Sequence, residues 1–162
     1  MNQKTAMKLF GLLGLLMLLS CGYADRHRNS SLCEQALVDS LEVRVQDSLF
    51  SNVHYSRSQL LEALTQTQDS LVYYRLLALY GKTFFVSSDF DSILYYNRRV
   101  KEFSRNASQS SESLQSPRWN DVLSDVYNIE GNVWMQLNRP DSAIIDYKKA
   151  YGYRLEGKKL HL

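Results

Sequence analysis

Proline and glycine are scarce in this chain, with two prolines and seven glycines among 162 residues. A β-sandwich or a barrel of this length would need more of these residues at its chain reversals. Hydrophobic residues make up 44% of the chain and charged residues 22%. These fractions suit one globular domain and exclude a wholly disordered chain. The composition therefore favours helices that are joined by short turns.

Long apolar runs are also lacking, apart from residues 9–19. This run follows Lys4 and Lys8, and it is little more than half as long as the roughly 20 residues of a membrane-spanning helix. It ends in the sequence LLSC, where Ser20 precedes Cys21. The segment resembles the lipobox of bacterial lipoproteins, which implies that residues 1–20 are a cleaved signal peptide and that Cys21 carries lipid. The alternatives are an ordinary secretory signal peptide and a short membrane anchor with a chance cysteine.

Neither basic nor acidic side chains are in excess once the signal peptide is removed. Residues 1–20 contain two lysines and no acids, so 17 basic and 17 acidic side chains remain. Without a basic field, we expect no nucleic-acid partner. Cysteine is equally scarce, because lipid on Cys21 would leave Cys33 as the only thiol. An intramolecular disulfide is then excluded, and Cys33 is expected to be a buried core thiol.

The rest of the chain reads as a flexible tether over 21–30 and an all-α domain over 31–162. Apolar residues recur at helical spacing in several segments that are separated by polar turns. Asp69 is a candidate N-cap, Asp91 or Ser92 another, and Pro117 suits a first helical turn. We expect helical hairpins at about 31–66, 68–103 and 117–155, and a serine-rich loop at 104–116.

Two of these hairpins show an internal correspondence at an offset of fifty residues. A fixed offset is the mark of a repeat architecture, in which each unit buries its apolar face against the next. The matched pairs are Gly81 with Gly131, Phe84 with Trp134, Asp91-Ser92 with Asp141-Ser142, Ile93 with Ala143, Arg98-Arg99 with Lys148-Lys149, and Val100 with Ala150.

The second copy carries an aromatic, a glycine and an aromatic on its first helix, and a small residue, an aromatic and a small residue on its second. This pattern is similar to the tetratricopeptide repeat (TPR), especially as it occurs in TPR lipoproteins of Bacteroidota. The resemblance implies TPR-like hairpins stacked as a short right-handed α-solenoid. The first copy departs from the pattern, since Asn97 replaces the aromatic. The matching positions are Tyr127, Gly131, Trp134, Ala143, Tyr147 and Ala150.

No catalytic or metal-binding constellation is evident in the sequence. Walker, GxGxxG, HExxH and GxSxG motifs do not occur. His27, His54 and His161 form no metal-ligand spacing with one another or with Cys33. We therefore expect a non-catalytic protein without a cofactor or a metal.

Five Asp-Ser pairs, each followed by an apolar residue, allow two readings. Helix capping accounts for three of them. The triplet also resembles the O-glycosylation motif of exported Bacteroidota proteins, and this reading stays open. The aspartates are Asp39, Asp47, Asp69, Asp91 and Asp141.

The TPR resemblance also implies a binding groove, which the first helices of successive hairpins line in that family. A set of basic and amide side chains could bind the backbone or a carboxylate of an extended peptide. The set does not match the family's carboxylate clamp, and solvated helix faces are the alternative. The implied groove positions are Arg75, Ala78, Lys82, Phe85, Asp125, Asn128, Asn132, Met135 and Gln136.

The sequence therefore predicts a lipid-anchored, periplasm-facing scaffold that binds a protein or peptide partner and meets the membrane through Cys21. The alternative is the truncated sensory N-terminal region of a TPR-containing histidine kinase or transcriptional regulator, because the chain stops at Leu162 soon after its last helix. An enzyme is the third and least favoured class.

Overall fold

The computed structural model describes residues 36–45, 47–48, 51–107 and 117–159, and within these ranges every regular element is a helix. The all-α fold class is therefore confirmed. Residues 1–30, with the signal peptide, the tether and Cys21, lie outside the described residues, as does Cys33. The helices are α1 (residues 36–45 and 47–48), α2 (Val53–Gln66), α3 (Ser70–Lys82), a short 3-10 helix (Thr83–Ser87), α4 (Phe90–Ala107), α5 (Pro117–Gln136) and α6 (Pro140–Lys159).

The chain divides into two units, Met1–Leu37 and Val38–Leu162. Of the first unit, only residues 36 and 37 are described, and both are helical. The fold below is that of the second unit. Its most extensive packing joins α5 to α6, followed by α3 to α4 and α2 to α3.

Aspartates define where two of the helices begin. The Asp69 carboxylate accepts the backbone N–H groups of Leu71 at 2.8 Å and Val72 at 3.2 Å, so the predicted cap of α3 is confirmed. At α4 the cap is Asp89, which accepts the backbone N–H of Ser92 at 3.1 Å and its hydroxyl at 2.7 Å. The prediction of Asp91 or Ser92 was wrong, because α4 begins at Phe90 and includes both residues in its first turn.

Two of the turns between helices repeat the same backbone conformation. Ser88 and Asn138, which are fifty residues apart, are the described non-glycine residues with positive φ, at 53° and 57°. Ser88 N–H donates to Phe85 O and Asp89 N–H to Phe84 O, and the same bonds recur from Asn138 to Met135 and from Arg139 to Trp134. This is the Schellman pattern, in which a left-handed residue lets a helix's last carbonyls find donors. The fifty-residue correspondence thus extends to individual hydrogen bonds.

Glycines let the helices of each hairpin approach closely. A Cβ atom on Gly131 would lie 2.6 Å from Cδ1 and 2.9 Å from Cζ of Tyr147. A Cβ atom on Gly81 would lie 2.9 Å from Cβ of Tyr96. The buried Asn97, at the position equivalent to Tyr147, instead donates its amide to the carbonyl of Val126 on α5 at 3.1 Å. The departure of the first copy from the repeat pattern thus serves the contact between α4 and α5.

Three apolar clusters run through the second unit. The first joins α1, α2 and α3 around Leu60 and Leu76. The second joins α3, α4 and α5 around Trp119, which is fully buried and whose indole N–H donates to the Ser104 hydroxyl at 3.1 Å. The third joins α4 and α5 near the turns. The clusters are thus linked through shared helices, since α3 contributes to the first two and α4 and α5 contribute to the last two.

Two predicted boundaries differ from those observed. The serine-rich segment was expected to begin at 104, but α4 continues through Ala107, which brings Ser104 into the core contact with Trp119. Residues 108–116 lie outside the described residues. The last hairpin was expected to end near 155, whereas α6 continues to Lys159.

Candidate binding groove

A cavity of about 150 Å³ lies among α1, α3, α4 and α5. At roughly 30 Å³ for each water molecule, this is room for about five waters or one side chain of a ligand. Leu79, Val126 and Ile129 contribute to its apolar lining, and Asn97 contributes an amide. We call this cavity and its rim the groove.

Arg75 is part of the wall of the groove rather than a free cation. Its side chain is only 9% exposed, and its guanidinium lies 2.9 Å from a carboxylate oxygen of Asp39 and 3.6 Å from one of Glu42. Arg118 of α5 approaches the other oxygen of Asp39 at 3.3 Å. These ion pairs hold α1 against α3 and α5, and they neutralise most of the charge on that side of the groove.

Lys82 and Asp121 are the two charged lining residues that lack such partners. Lys82 is half-buried at the end of α3, and Asp121 is exposed on α5. Across the described ranges, neither side chain takes part in an ion pair or a hydrogen bond. The groove therefore presents one available cation and one available carboxylate on different helices.

Four of the positions that the TPR resemblance implied line this cavity, namely Arg75, Ala78, Lys82 and Asp125. Asp125 is shared with another contact, since Arg154 of α6 lies 3.1 Å from its carboxylate. It therefore offers a ligand less negative charge than Asp121 does.

The other five implied positions lie outside the lining of the cavity. Phe85 belongs to the 3-10 helix, whose tighter turn aims it at Phe90, with ring centroids 6.5 Å apart. Asn132 accepts the hydroxyl of Tyr147 at 2.8 Å and so serves the α5–α6 hairpin. The remaining three, on α5, are exposed to solvent, and they are Asn128, Met135 and Gln136.

Several lining residues were missed by the sequence reasoning. Arg118, Asp121 and Asp125 follow one another at spacings of three and four, so they share one face of α5. That spacing could have revealed the two missed residues. Glu42 could not be found in the same way, because α1 belongs to neither of the two aligned copies.

A second group of charges, whose carboxylates are buried, lies between α4, α5 and α6. The Glu130 side chain is 4% exposed, and its carboxylate lies 2.6 Å from the ammonium of Lys101. Burial raises the pKa of Glu130 above its ordinary value, while the hydrogen bond and the charge of Lys101 oppose the shift. Lys101 and Lys149 also approach the ring of Tyr127 at 5.1 and 5.0 Å.

Asp146 completes this group through Trp134 and Lys149. The indole N–H donates to Asp146 at 2.8 Å and the ammonium donates at 3.1 Å. Both carboxylates of this group, Glu130 and Asp146, thus have protein partners, and the group acts as a polar seam between helices. Among the residues described, no cluster of three histidines, cysteines or carboxylates is arranged to hold a metal ion.

Comparison with known proteins finds no family model, no curated protein and no solved structure that matches this chain. Within the described ranges, none of the helices combines the length and the apolar character that crossing a bilayer requires.

Proposed function

We propose that this protein is a non-catalytic, TPR-like scaffold, lipid-anchored through Cys21 on the periplasmic side of a bacterial membrane, and that its groove binds a peptide segment of a partner protein. The observation that carries the proposal is the pair of available charges, Lys82 and Asp121, in a groove whose other charges are largely neutralised.

The chemistry of the groove favours an extended peptide over a small anion. The groove is lined by three basic and three acidic residues. The lining therefore carries no net charge that would concentrate an anionic ligand. The cavity is large enough for about one side chain, and its rim offers both signs of charge. A peptide could place an acidic residue at Lys82, a basic or amide residue at Asp121, and an aliphatic side chain between them.

The TPR-like architecture is supported by the backbone correspondence between the two copies. The paired Schellman turns at Ser88 and Asn138 support a common hairpin design, and in each copy a glycine, Gly81 or Gly131, lies close to a tyrosine of the second helix. First helices α1, α3 and α5 all contribute to the groove, whereas α4 contributes only Asn97. This arrangement matches a stack in which the first helices share one concave face.

Binding to a decapeptide array with capped ends tests the proposal. Peptides that carry an acidic residue and a basic residue separated by an aliphatic one should bind best. Lys82→Glu should weaken their binding by about tenfold or more, because an attraction becomes a repulsion. Arg98→Glu is the matched control, since Arg98 is an exposed cation of α4 that does not line the groove.

Charge reversal on the other wall provides the complementary test. Asp121→Lys should weaken the binding of the protein to those peptides of the array that place a basic residue opposite Asp121. If Lys82→Glu and Asp121→Lys both leave the selected peptides unchanged, the groove is not the binding site and the proposal fails.

A further inference from the structure

The outer face of α6 is apolar and exposed. Ile144 is 50% exposed, Tyr151 is 66% exposed and Leu155 is 39% exposed. Their spacings of seven and four residues place them on one side of the helix. Ala143 and Ala150, which are buried, fall on a different side of the helix. We call the exposed set the α6 stripe, and no other described helix covers it.

The first copy of the repeat shows two of the three equivalent positions covered, Leu94 and Lys101, whereas the third, Arg105, is exposed. On α4, Leu94 is half-buried against the cluster that contains Ile129 and Val133 of α5. About two helical turns further along α4, the ammonium of Lys101 contacts the carboxylate of Glu130. A single helix of the next hairpin therefore covers this face of α4, with two aliphatic residues four positions apart and an acidic residue between them.

The offset of fifty residues transfers this contact to α6. Ile144 corresponds to Leu94, and Tyr151 corresponds to Lys101. The two α4 residues are covered by α5, whereas their α6 counterparts are among the most exposed large apolar residues in the described chain. At Ile144 and Tyr151 the α6 stripe thus repeats an interface that the molecule already contains, but no helix of the described ranges covers it.

The charges around the stripe indicate the chemistry of a helix that would cover it. Lys148, Lys158 and Lys159 are exposed along the stripe, and Asp141 is the exposed acid at its start. On α5, the helix that covers the equivalent face of α4, the carboxylate of Glu130 is the one that pairs with α4, through Lys101. A basic margin on α6 and an acidic character in the covering helix are complementary.

We propose that the α6 stripe docks an amphipathic helix of another polypeptide, which presents two aliphatic residues four positions apart and acidic residues at its flank. The contact buries Ile144, Tyr151 and Leu155 between the two helices. It is independent of the groove, because none of the three lines that cavity.

The probe for this proposal is a fluorescein-labelled synthetic peptide with the sequence of residues 117–137, which includes the helix that covers α4. Its binding to the full chain is followed by fluorescence anisotropy. We expect saturable binding that weakens by about tenfold or more in Ile144→Glu, because a carboxylate would be buried among apolar groups. A peptide with Ile129→Glu and Val133→Glu should not bind.

Two further variants keep the result interpretable. Leu61→Glu is the matched control, because Leu61 on α2 is an aliphatic residue of similar exposure, 47%, and it should leave the affinity unchanged. Ile144→Ala should weaken binding less than Ile144→Glu without adding a charge. Circular dichroism establishes that each variant is folded.

Two outcomes would overturn the proposal. One is absent or non-saturable binding, or binding that is equally strong in wild type and Ile144→Glu. The other is sedimentation of the full chain as a dimer that Ile144→Glu converts to a monomer, since a second copy would then be the occupant of the stripe.

Discussion

At the residue scale, two glycines fix how closely the helices of each hairpin can approach. Gly131 lies under the ring of Tyr147, and Gly81 lies under Cβ of Tyr96. The flat ring of Tyr147 can occupy that space only because Gly131 has no side chain. Its hydroxyl then reaches Asn132 at 2.8 Å, so one small residue positions both the apolar ring and its polar end.

Gly131→Ala should therefore destabilise the protein. The added methyl group would overlap the ring, and overpacking of this kind costs about 1–3 kcal/mol, of which better helix propensity recovers up to about 1 kcal/mol. Gly152→Ala is the control, because a Cβ there meets nothing within 4 Å, and it should be neutral or stabilising. Urea unfolding measures both. Equal stability of the two variants would show that the close approach is not what Gly131 provides.

Glu130 makes a second prediction at this scale, because burial holds its pKa above the ordinary glutamate value. A raised folded-state pKa means that the folded state binds the proton more tightly than the unfolded chain. The contribution to stability is then present below about pH 4.3, the ordinary value, and is lost as the pH rises through the folded-state pKa. The free energy of unfolding of wild type minus that of Glu130→Gln should fall between pH 4 and pH 7.

Urea unfolding over this pH range tests the sign of that shift. Glu156→Gln, at an exposed position, serves as the control for the removal of one carboxylate. A difference that grows with pH would instead mean that the ion pair with Lys101 outweighs the cost of burying Glu130.

At the scale of elements, each hairpin depends on its turn, and the two turns reach the same conformation with different residues. Ser88 and Asn138 take the left-handed conformation that glycine takes most easily. Asparagine is a common residue in this conformation and serine is not. In the first copy the residue after Ser88 is the capping aspartate, Asp89, which accepts hydrogen bonds from both the backbone N–H and the hydroxyl of Ser92. In the second copy the corresponding residue is Arg139.

Asp89→Ala should destabilise α4, because the cap loses its acceptor for the Ser92 N–H. Asp91→Ala should cost only a few tenths of a kcal/mol, since Asp91 contributes its charge at the helix N-terminus. Hydrogen bonds from Ser92 lower the pKa of Asp89, so the contribution of the cap is lost as the pH falls through that lowered value. The two variants are compared by thermal unfolding at pH 7, and a larger loss in Asp91→Ala would contradict this assignment of the cap.

At the scale of the whole molecule, the groove exists because helices from three parts of the chain lie side by side. Asp39 of α1 reaches both Arg75 of α3 and Arg118 of α5. These contacts neutralise the charges of Arg75 and Arg118, which would otherwise face a ligand. The charge that the groove offers is therefore a property of the assembled helices and not of α3 or α5 alone.

The lipid anchor is the prediction that concerns the protein as a whole in its cell. Cys21→Ser should abolish lipid attachment and move the protein from the membrane fraction to the soluble fraction, because the lipid would be attached to the thiol, which serine lacks. Cys33→Ser is the matched control and should remain membrane-attached. Fractionation and intact mass measure the result, and unchanged processing in Cys21→Ser would exclude the lipoprotein assignment.

Much of the local structure could be predicted from the sequence. The cap at Asp69, the first-turn proline at Pro117 and the close contact at Gly131 all depend on residues that are near one another in the chain or on a fixed offset. The predicted cap of α4 lies two residues too far along the chain. Asp89 precedes Phe90 and Asp91 precedes Ser92 in the same polar turn, so the local sequence does not distinguish the two aspartates. Local patterns specify that a helix starts, and they specify its first residue less well.

The sequence by itself determined the helices, the fifty-residue repeat and the residues at its close contacts, because spacing along a helix decides which side chains share a face. Only the tertiary structure decided which charges remain available. Arg75 and Asp125 have the same chemistry in the sequence as Lys82 and Asp121, but the first two meet Asp39 and Arg154 across helix contacts. Ion pairing between distant helices depends on how their axes are placed, and no pattern along one helix contains that placement.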